Sequence, residues 1–449
     1  MLRGMRTSKQ KRQRPHTRAI QRDRSKRASN GPSDAQIEQW LEEAVMPAVY
    51  NQMGLYRQMG LRTRVLSLVV MVAFVLSLLW RQVGSVREGV RLLHEEGLLW
   101  VTPLAGVSPQ AMMQRLSNLP PVLFYNILLE VLPSLQERAL ARQRPLPPAV
   151  AWAKQHFTTI WAADGSVLDN LLRKTGLLEE QTTAVLAGKI ATVVDVVTQV
   201  PAAIHYTENS HQHDQGFWDW LLAQVQAGCL LLLDTGWLDF GRFDQLTERQ
   251  VGFISRPKSN NAYQEMEVLS KTATVHDVII RLGTRQNHCA HPMRLISVLF
   301  NGKWYRFLTN VLDPDQLPPA VVVALYDQRW RIEDAFNAVK RLLGLAYFYT
   351  GSINGVQLQL WATWLLYALL VDLTDAVAEG LHRPFRDLSL EMVFRGLYHF
   401  SQARKNGKAD DVVAYFVRKA KDLDLIKQKR PAQHRSLIGQ MNLSIPKIT

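Results

Sequence analysis

Residues 229–236 read Cys-Leu-Leu-Leu-Leu-Asp-Thr-Gly. Five consecutive apolar side chains, closed by Asp234, leave no polar face. A strand of that kind has to be covered on both sides, which is the situation of a central strand in an α/β sheet. The flanking sequence agrees. Short β-rich runs at 158–163, 190–197 and 202–206 come before it. A helix is predicted over 214–226, with Phe217, Trp220, Leu221 and Val225 on one face. A short helix near 243–249 and a further strand, Gly252–Ser255, come after it. The order strand, strand, strand, helix, strand, helix, strand predicts an α/β core over 151–257.

Residues 258–312 break that alternation. Runs at 274–282, 294–300 and 304–309, the last two joined by Asn301-Gly302, predict a β-rich insertion. The core resumes over 313–375, with a helix from about Pro318 through Tyr326 to about Leu343 and an apolar helix at 358–373. Helical regions flank it at 33–150 and 376–449. In the first, Ser33 and Gln36 form a capping-box pair, and Ile37, Trp40, Leu41, Ala44 and Val45 repeat at helical spacing. Ser108-Pro109 opens another helix, whose Gln110, Gln114 and Arg115 either read base edges or belong to a plain bundle helix. Residues 65–80 carry only Ser67 and Ser77 as polar groups, but 16 residues fall short of the ~20 that span a bilayer. They predict a buried helix and no membrane span.

The 449 residues, 47% hydrophobic and 20% charged, exclude a disordered or collagen-like chain. Two cysteines, Cys229 and Cys289, exclude a disulfide scaffold and a four-cysteine zinc site. Net charge is +14, of which residues 1–30 supply +10: eleven Lys and Arg against Asp23. A basic tail over 1–32 ahead of a mildly basic body points to a polyanionic partner, nucleic acid before membrane.

Two sets of residues could carry chemistry. Asp164 and Asp234 each follow a predicted strand, and aspartates there either end strands as turn residues or converge on a hard cation. Tyr326, Arg329, Glu333 and Lys340 form the series Y-x2-R-x3-E-x6-K. At about 100° per residue, their offsets place them within about 60° of one another on one helix face. Leu325, Ile332, Phe336, Val339 and Leu343 form the neighbouring packing stripe, whereas Arg331 and Asp334 look solvated. Asp164, Asp234 and Glu333 could together hold two divalent ions about 4 Å apart for in-line phosphoryl displacement, with Arg329 and Lys340 on the phosphates. His288, Cys289 and His291 are clustered but lack a fourth zinc ligand. His205, His211 and His213 read as surface or loop residues. Asp169 is an alternative first aspartate, set back inside an expected helix.

The gapless Tyr326-Arg329-Glu333-Lys340 series, Arg-Trp-Arg-Ile-Glu at 329–333, Asp164-Gly165-Ser166 and Leu-Leu-Asp-Thr-Gly at 232–236 resemble the motifs of the insertion-sequence-four (IS-four) family of DDE transposases. The resemblance covers roughly residues 100–375. It implies an RNase H-like catalytic core interrupted by the β-rich insertion, and a catalytic, metal-binding triad of Asp164, Asp234 and Glu333 with two Mg²⁺ ions (Mn²⁺ as the alternative). It implies binding to double-stranded DNA at terminal inverted repeats, cut-and-paste excision through hairpinned DNA ends, and joining to target DNA by a homodimer in a prokaryotic cytoplasm. Tyr326, Arg329 and Lys340 would hold the DNA phosphates. Trp304, in the insertion, is either a stacking site for an extruded base or a core tryptophan. A silent end-binding repressor and a hydrolytic nuclease on the same core are the alternatives.

Overall fold

A computed structural model describes residues 38–62, 64–168, 188–345, 348–428 and 445. The basic tail, the Ser33 cap and Asp169 lie outside the described residues. Nine strands form one mixed sheet: β1 (Thr159–Val167), β2 (Lys189–Asp195), β3 (Pro201–Thr207), β4 (Cys229–Leu233), β5 (Gly252–Ser255), β6 (Tyr263–Lys271), β7 (Val275–Leu282), β8 (Met293–Phe300) and β9 (Lys303–Thr309). Their order is β3-β2-β1-β4-β5-β9-β8-β7-β6. β1, β4 and β5 are mutually parallel at the centre, and β2 and β3 continue antiparallel on one side.

The insertion extends this same sheet, because β9 pairs antiparallel with β5 through Ile254–Thr309 and Ser255–Leu308. The β8–β9 hairpin closes on Asn301 and Gly302, both at positive φ (48° and 71°), as a two-residue turn requires. One insertion strand was not legible. β6 carries no apolar alternation and lies exposed at the edge, paired only to β7, with two register breaks. Sequence periodicity reports burial on one face, and this strand has almost none.

Among the described residues, seven helices precede the sheet: α1 (Glu38–Asn51), α2 (Met53–Gln58), α3 (Leu68–Trp80), α4 (Val86–Glu95), α5 (Pro109–Asn118), α6 (Val122–Ala141) and α7 (Pro148–Ala153). Within it lie α8 (Trp218–Gln224) and α9 (Phe240–Glu248). After it come α10 (Pro319–Gln328), α11 (Trp330–Asn337), α12 (Ile353–Gly380), α13 (Leu390–Lys405) and α14 (Val412–Lys419). The apolar segment at 65–80 is the buried helix α3, capped by Ser67, whose Oγ accepts from Val70 N at 3.4 Å.

α12 is the hub. α3, α5 and α6 pack on it from the N-terminal region, and α13 and α14 from the C-terminal one. By length and composition α12 could cross a membrane, yet 94% of its most apolar stretch is buried by the protein itself. A helix apolar all round is stable where every side is covered. Its buried Asp372 and Asp375 are matched by Arg142 and Arg144, which follow α6: Arg142 lies 2.7 Å from Asp372 and 3.1 Å from Asp375. Arg144 pairs with Asp375 and donates to the Val197 carbonyl between β2 and β3, tying the helical layer to the sheet.

The two sheet faces have separate cores. Ala162, Leu230, Leu232 and Ile254 face the helical layer that includes α10, α11 and α12. Ala163, Leu231, Leu233 and Phe253 face Phe217, Trp218, Trp237 and Phe243. β4 is covered on both sides, as its unbroken apolar run requires.

The insertion is also bolted to the segment entering α10. Arg294 on β8 makes a bidentate pair with Asp277 on β7 (2.8 and 2.6 Å) and donates to the Leu317 carbonyl at 2.8 Å, all buried. Removing one member of a buried pair costs roughly 3–5 kcal/mol, because the other charge is stranded. Asp277→Ala is therefore expected to lower the free energy of unfolding by about 3 kcal/mol or more in a denaturant titration. A paired Asp277→Leu/Arg294→Met change is expected to recover most of that loss. Equal destabilisation by both variants would mean that the pair is not what holds this joint.

Candidate active site

The register of β1 and β4 brings the first two carboxylates together. Ala163 and Leu233 are partners on adjacent parallel strands, so Asp164 and Asp234 come next, side by side. Asp164 does not follow β1 but lies inside it. The pairing with β4 stops at Ala163, whereas β2 carries the strand on through Asp164–Thr192 to Val167–Lys189. Side chains alternate along a strand, so Asp164 shares the face of Ala162, toward the helices, and Gly165 shares the face of Ala163. Asp234 ends β4 and opens the short 3₁₀ turn Thr235–Trp237.

The third carboxylate arrives on α11, which packs across β1 and β2. The path from Pro318 to Leu343 is not one uniform helix. It tightens at Arg329, where Arg329 N bonds to Tyr326 O and Ile332 N to Arg329 O, and it ends in a π turn, Ala338–Leu342. Inside it, Ile332, Ala335, Phe336 and Val339 pack into the core, and Glu333 stays half-buried beside Asp164.

Asp164 is 8% exposed. Burial pushes its carboxyl up to about 7, and the negative charges of Glu333 and Asp234 push it the same way. The Arg329 guanidinium, 3.4 Å from Oδ2, and the Gly165 N–H, 2.8 Å from Oδ1, act against that rise. The three acids therefore occupy one electrostatic neighbourhood. Among the described residues, no three His, Cys, Asp or Glu side chains are drawn together closely enough to hold an ion as they stand.

The basic members of the series point inward. Arg329 is buried between the Tyr326 ring (5.8 Å) and the Trp330 ring (5.1 Å). Tyr326 is only 3% exposed, and burial raises its phenol above the ordinary range, with Arg329 opposing and Asp234 reinforcing. Lys340, in the π turn, donates to Ser166 Oγ at 2.5 Å and to the Val167 carbonyl at 2.9 Å. The stripe predicted from the spacing lies on the end of β1, with Tyr326 and Arg329 buried and Glu333 and Lys340 half-buried.

Trp304 is not brought to this cluster. It is 46% exposed, so it is no core tryptophan, but it shares the strand face of Leu308, opposite to Tyr305 and Phe307. Gln110 and Gln114 on α5 are exposed, while Arg115 is engaged with the Tyr56 hydroxyl and ring. Cys289 is buried against Phe240, and burial, then Asp244 and Asp239, raises its thiol to about 12, contrary to what a thiolate ligand needs. Arg256 was missed in the sequence. Its guanidinium lies 5.9 Å from the Tyr305 ring and acts on Tyr326, but a lone arginine after a strand gives no signal. Lys189 and Asp214 were missed as well; they form an ion pair at 2.7 Å against the loops that carry the two aspartates.

Residues 181–369 match the family described as Transposase DDE domain. A putative transposase, y4zB, of Sinorhizobium fredii (strain NBRC 101917 / NGR234) is 31% identical over 186 residues, covering 38% of this chain and 50% of that protein. A probable transposase for insertion sequence element IS5377 of Geobacillus stearothermophilus is 28% identical over 159 residues, 34% of this chain and 41% of that protein. The matches thus span half or less of these relatives' lengths. The solved piggyBac transposase synaptic complex with hairpin DNA shares 11% identity over 90% of this chain and 89% of its own, at a TM-score of 0.37, too low to argue from. Asp234 and Glu333 fall inside the matched span and Asp164 upstream of it, so over residues 181–369 the chain is similar to a DDE transposase domain.

Proposed function

We propose that the protein is a DNA transposase of the insertion-sequence-four type, which cuts DNA at the ends of its element and joins them to a target. The observation that carries this reading is that Asp164, inside β1, feels the charges of both Asp234, just past the neighbouring strand β4, and Glu333 on α11. The sheet supports it: an antiparallel β3-β2-β1 run followed by parallel β4 and β5, with helices on both faces, is the RNase H-like arrangement named by the resemblance.

The donor set suits Mg²⁺ or Mn²⁺. It is all carboxylate oxygen; burial is the main cause that lifts Asp164 toward neutrality, and the charges of Glu333 and Asp234 add to it. Two such ions, when bound, would activate the attacking oxygen and stabilise the leaving oxygen of an in-line displacement. Asp164, Asp234 and Glu333 would hold them. Asp164 must first lose its proton and part from Arg329, whose guanidinium is then free to take a phosphate of the element end in bidentate fashion. Tyr326 keeps Arg329 in place from below. Lys340 fixes the π turn to the end of β1 and offers its remaining charge to the DNA. Trp304 and the basic tail are proposed as DNA contacts away from the reacting phosphate, and a DNA-bound homodimer is the proposed assembly, since two ends are cut together.

Full-length protein with Mg²⁺ and a duplex carrying its own element end tests the reading. Glu333→Gln is expected to cut cleavage more than about 100-fold, beyond the loss typical of a residue that only supports a metal ligand. End binding, read by gel shift, is expected to persist. Joined products support the transposase; nicks without joining point to a nuclease, and binding without breakage to a silent repressor. Cleavage retained by Glu333→Gln refutes the triad.

The raised Asp164 carboxyl gives a second test. Its folded value lies above the ~3.9 of an unfolded aspartate, so the stability it lends is full below pH ~4 and is lost as pH climbs toward about 7. In EDTA, Asp164→Asn is therefore expected to melt higher than the parent at pH ~8, with the gap closing on acidification. A gap independent of pH would contradict the burial argument.

A further inference from the structure

Gly165 follows Asp164, and Gly236 lies two residues after Asp234. Neither has a positive φ, so backbone conformation does not demand glycine at either place. Space does. A Cβ on Gly165 would run into Asp214 Oδ1 and come within 3.0 Å of Lys189 Cε. A Cβ on Gly236 would stand 3.0 Å from Asp214 Oδ2. One carboxylate is thus wedged against the backbones of both aspartate motifs, one oxygen on each. Glycine in a strand marks such a close approach.

The wedge is held from three sides. Lys189, on β2 and only 8% exposed, places its ammonium 2.7 Å from Asp214 Oδ1. The approach is off the line of a hydrogen bond, so the contact is an ion pair rather than a directed bond. The same ammonium donates to the Gln212 carbonyl at 2.7 Å and lies 5.6 Å from the Phe217 ring. Gln215, in the same 3₁₀ turn as Asp214, donates to the Leu238 carbonyl at 3.0 Å, just past the Asp234 turn. Lysine is almost never this deeply buried unless paired. Asp214 and Lys189 lie on the Gly165 face of the sheet, opposite to Glu333.

Resting on the triad reading above, we propose that Asp214, held by Lys189, is a positioning residue that sets the separation of Asp164 and Asp234 for divalent-cation binding. It touches neither ion nor DNA. It braces the end of β1 that carries Asp164 and the turn that carries Asp234 from behind the sheet, where a shift of about 0.5 Å already degrades a metal site.

Mn²⁺ binding to the full-length protein, followed by the EPR signal of the free ion, tests this, with thermal melting alongside. Asp214→Asn keeps the shape and loses the ion pair. It is expected to weaken Mn²⁺ binding about 10–100-fold with little change in melting temperature. Gly165→Ala and Asp214→Ala are each expected to weaken it too, and the Gly165→Ala/Asp214→Ala double variant by less than the product of those two losses, because the new methyl fills the vacated space. Should Asp214→Asn fail to fold, Lys189→Gln removes the same ion pair with the carboxylate left in place. Unchanged Mn²⁺ affinity, losses that multiply, or affinity that merely follows melting temperature would each overturn the brace. Asp164→Asn and Asp234→Asn separate the two levels. If both bind Mn²⁺ like the parent, the triad reading itself fails; if both lose it while Asp214→Asn does not, only the brace fails.

Discussion

Three carboxylates in one half-buried place repel one another, and one of them, Asp164, has also been taken out of water. Desolvation is the larger effect, since burial alone does more to raise its carboxyl than either neighbouring charge. Such an arrangement is unfavourable in the free protein, and the surrounding structure is what sustains it. Arg329 lies against one oxygen and the Gly165 N–H against the other. On the far side of the sheet, the Asp214–Lys189 pair fills the space behind the loops. The scaffold behind these contacts is a central strand covered on both faces and a hub helix on which helices of both flanking regions pack.

The sheet also explains why residues so far apart in sequence meet. Adjacent parallel strands end in step, so the register that pairs Ala163 with Leu233 fixes Asp164 beside Asp234. Glu333 depends on a longer chain of causes. Between Asp234 and Glu333 the chain makes five further strands, and any slack there would be felt at α11. The Arg294–Asp277 pair removes that slack by gripping the carbonyls of Asp313 and Leu317, just ahead of α10. The insertion is therefore part of what aims the third carboxylate, as well as an extension of the sheet.

Much of this was legible where one physical cause dominates locally. Cys229–Leu233 had to be a central strand because nothing in it tolerates water, and 65–80 had to be a buried helix for the same reason. The Tyr326-to-Lys340 spacing correctly placed its members along one side of a helical path. It could not reveal that this side is buried, since charged residues at helical spacing look alike whether they face solvent or a carboxylate. The tightening at Arg329 and the π turn at Lys340 come from packing on β1, which no local propensity encodes. β6 was invisible for lack of alternation, and Asp214 for the opposite reason: as the first residue of an expected helix, it already had an ordinary explanation.

Arg329 joins the resting site to the working one. Its Nε is buried and, among the described residues, makes no hydrogen bond, although its Nη1 faces Asp164. A buried donor without an acceptor costs roughly 1–3 kcal/mol. That deficit is relieved only by an acceptor arriving from outside the described contacts, and a phosphate oxygen meets the planar fork better than a single carboxylate oxygen at 3.4 Å does. The same guanidinium that offsets the repulsion among the acids is thus left incompletely bonded, so under the proposed function cations at the carboxylates and a DNA phosphate at the arginine would favour one another.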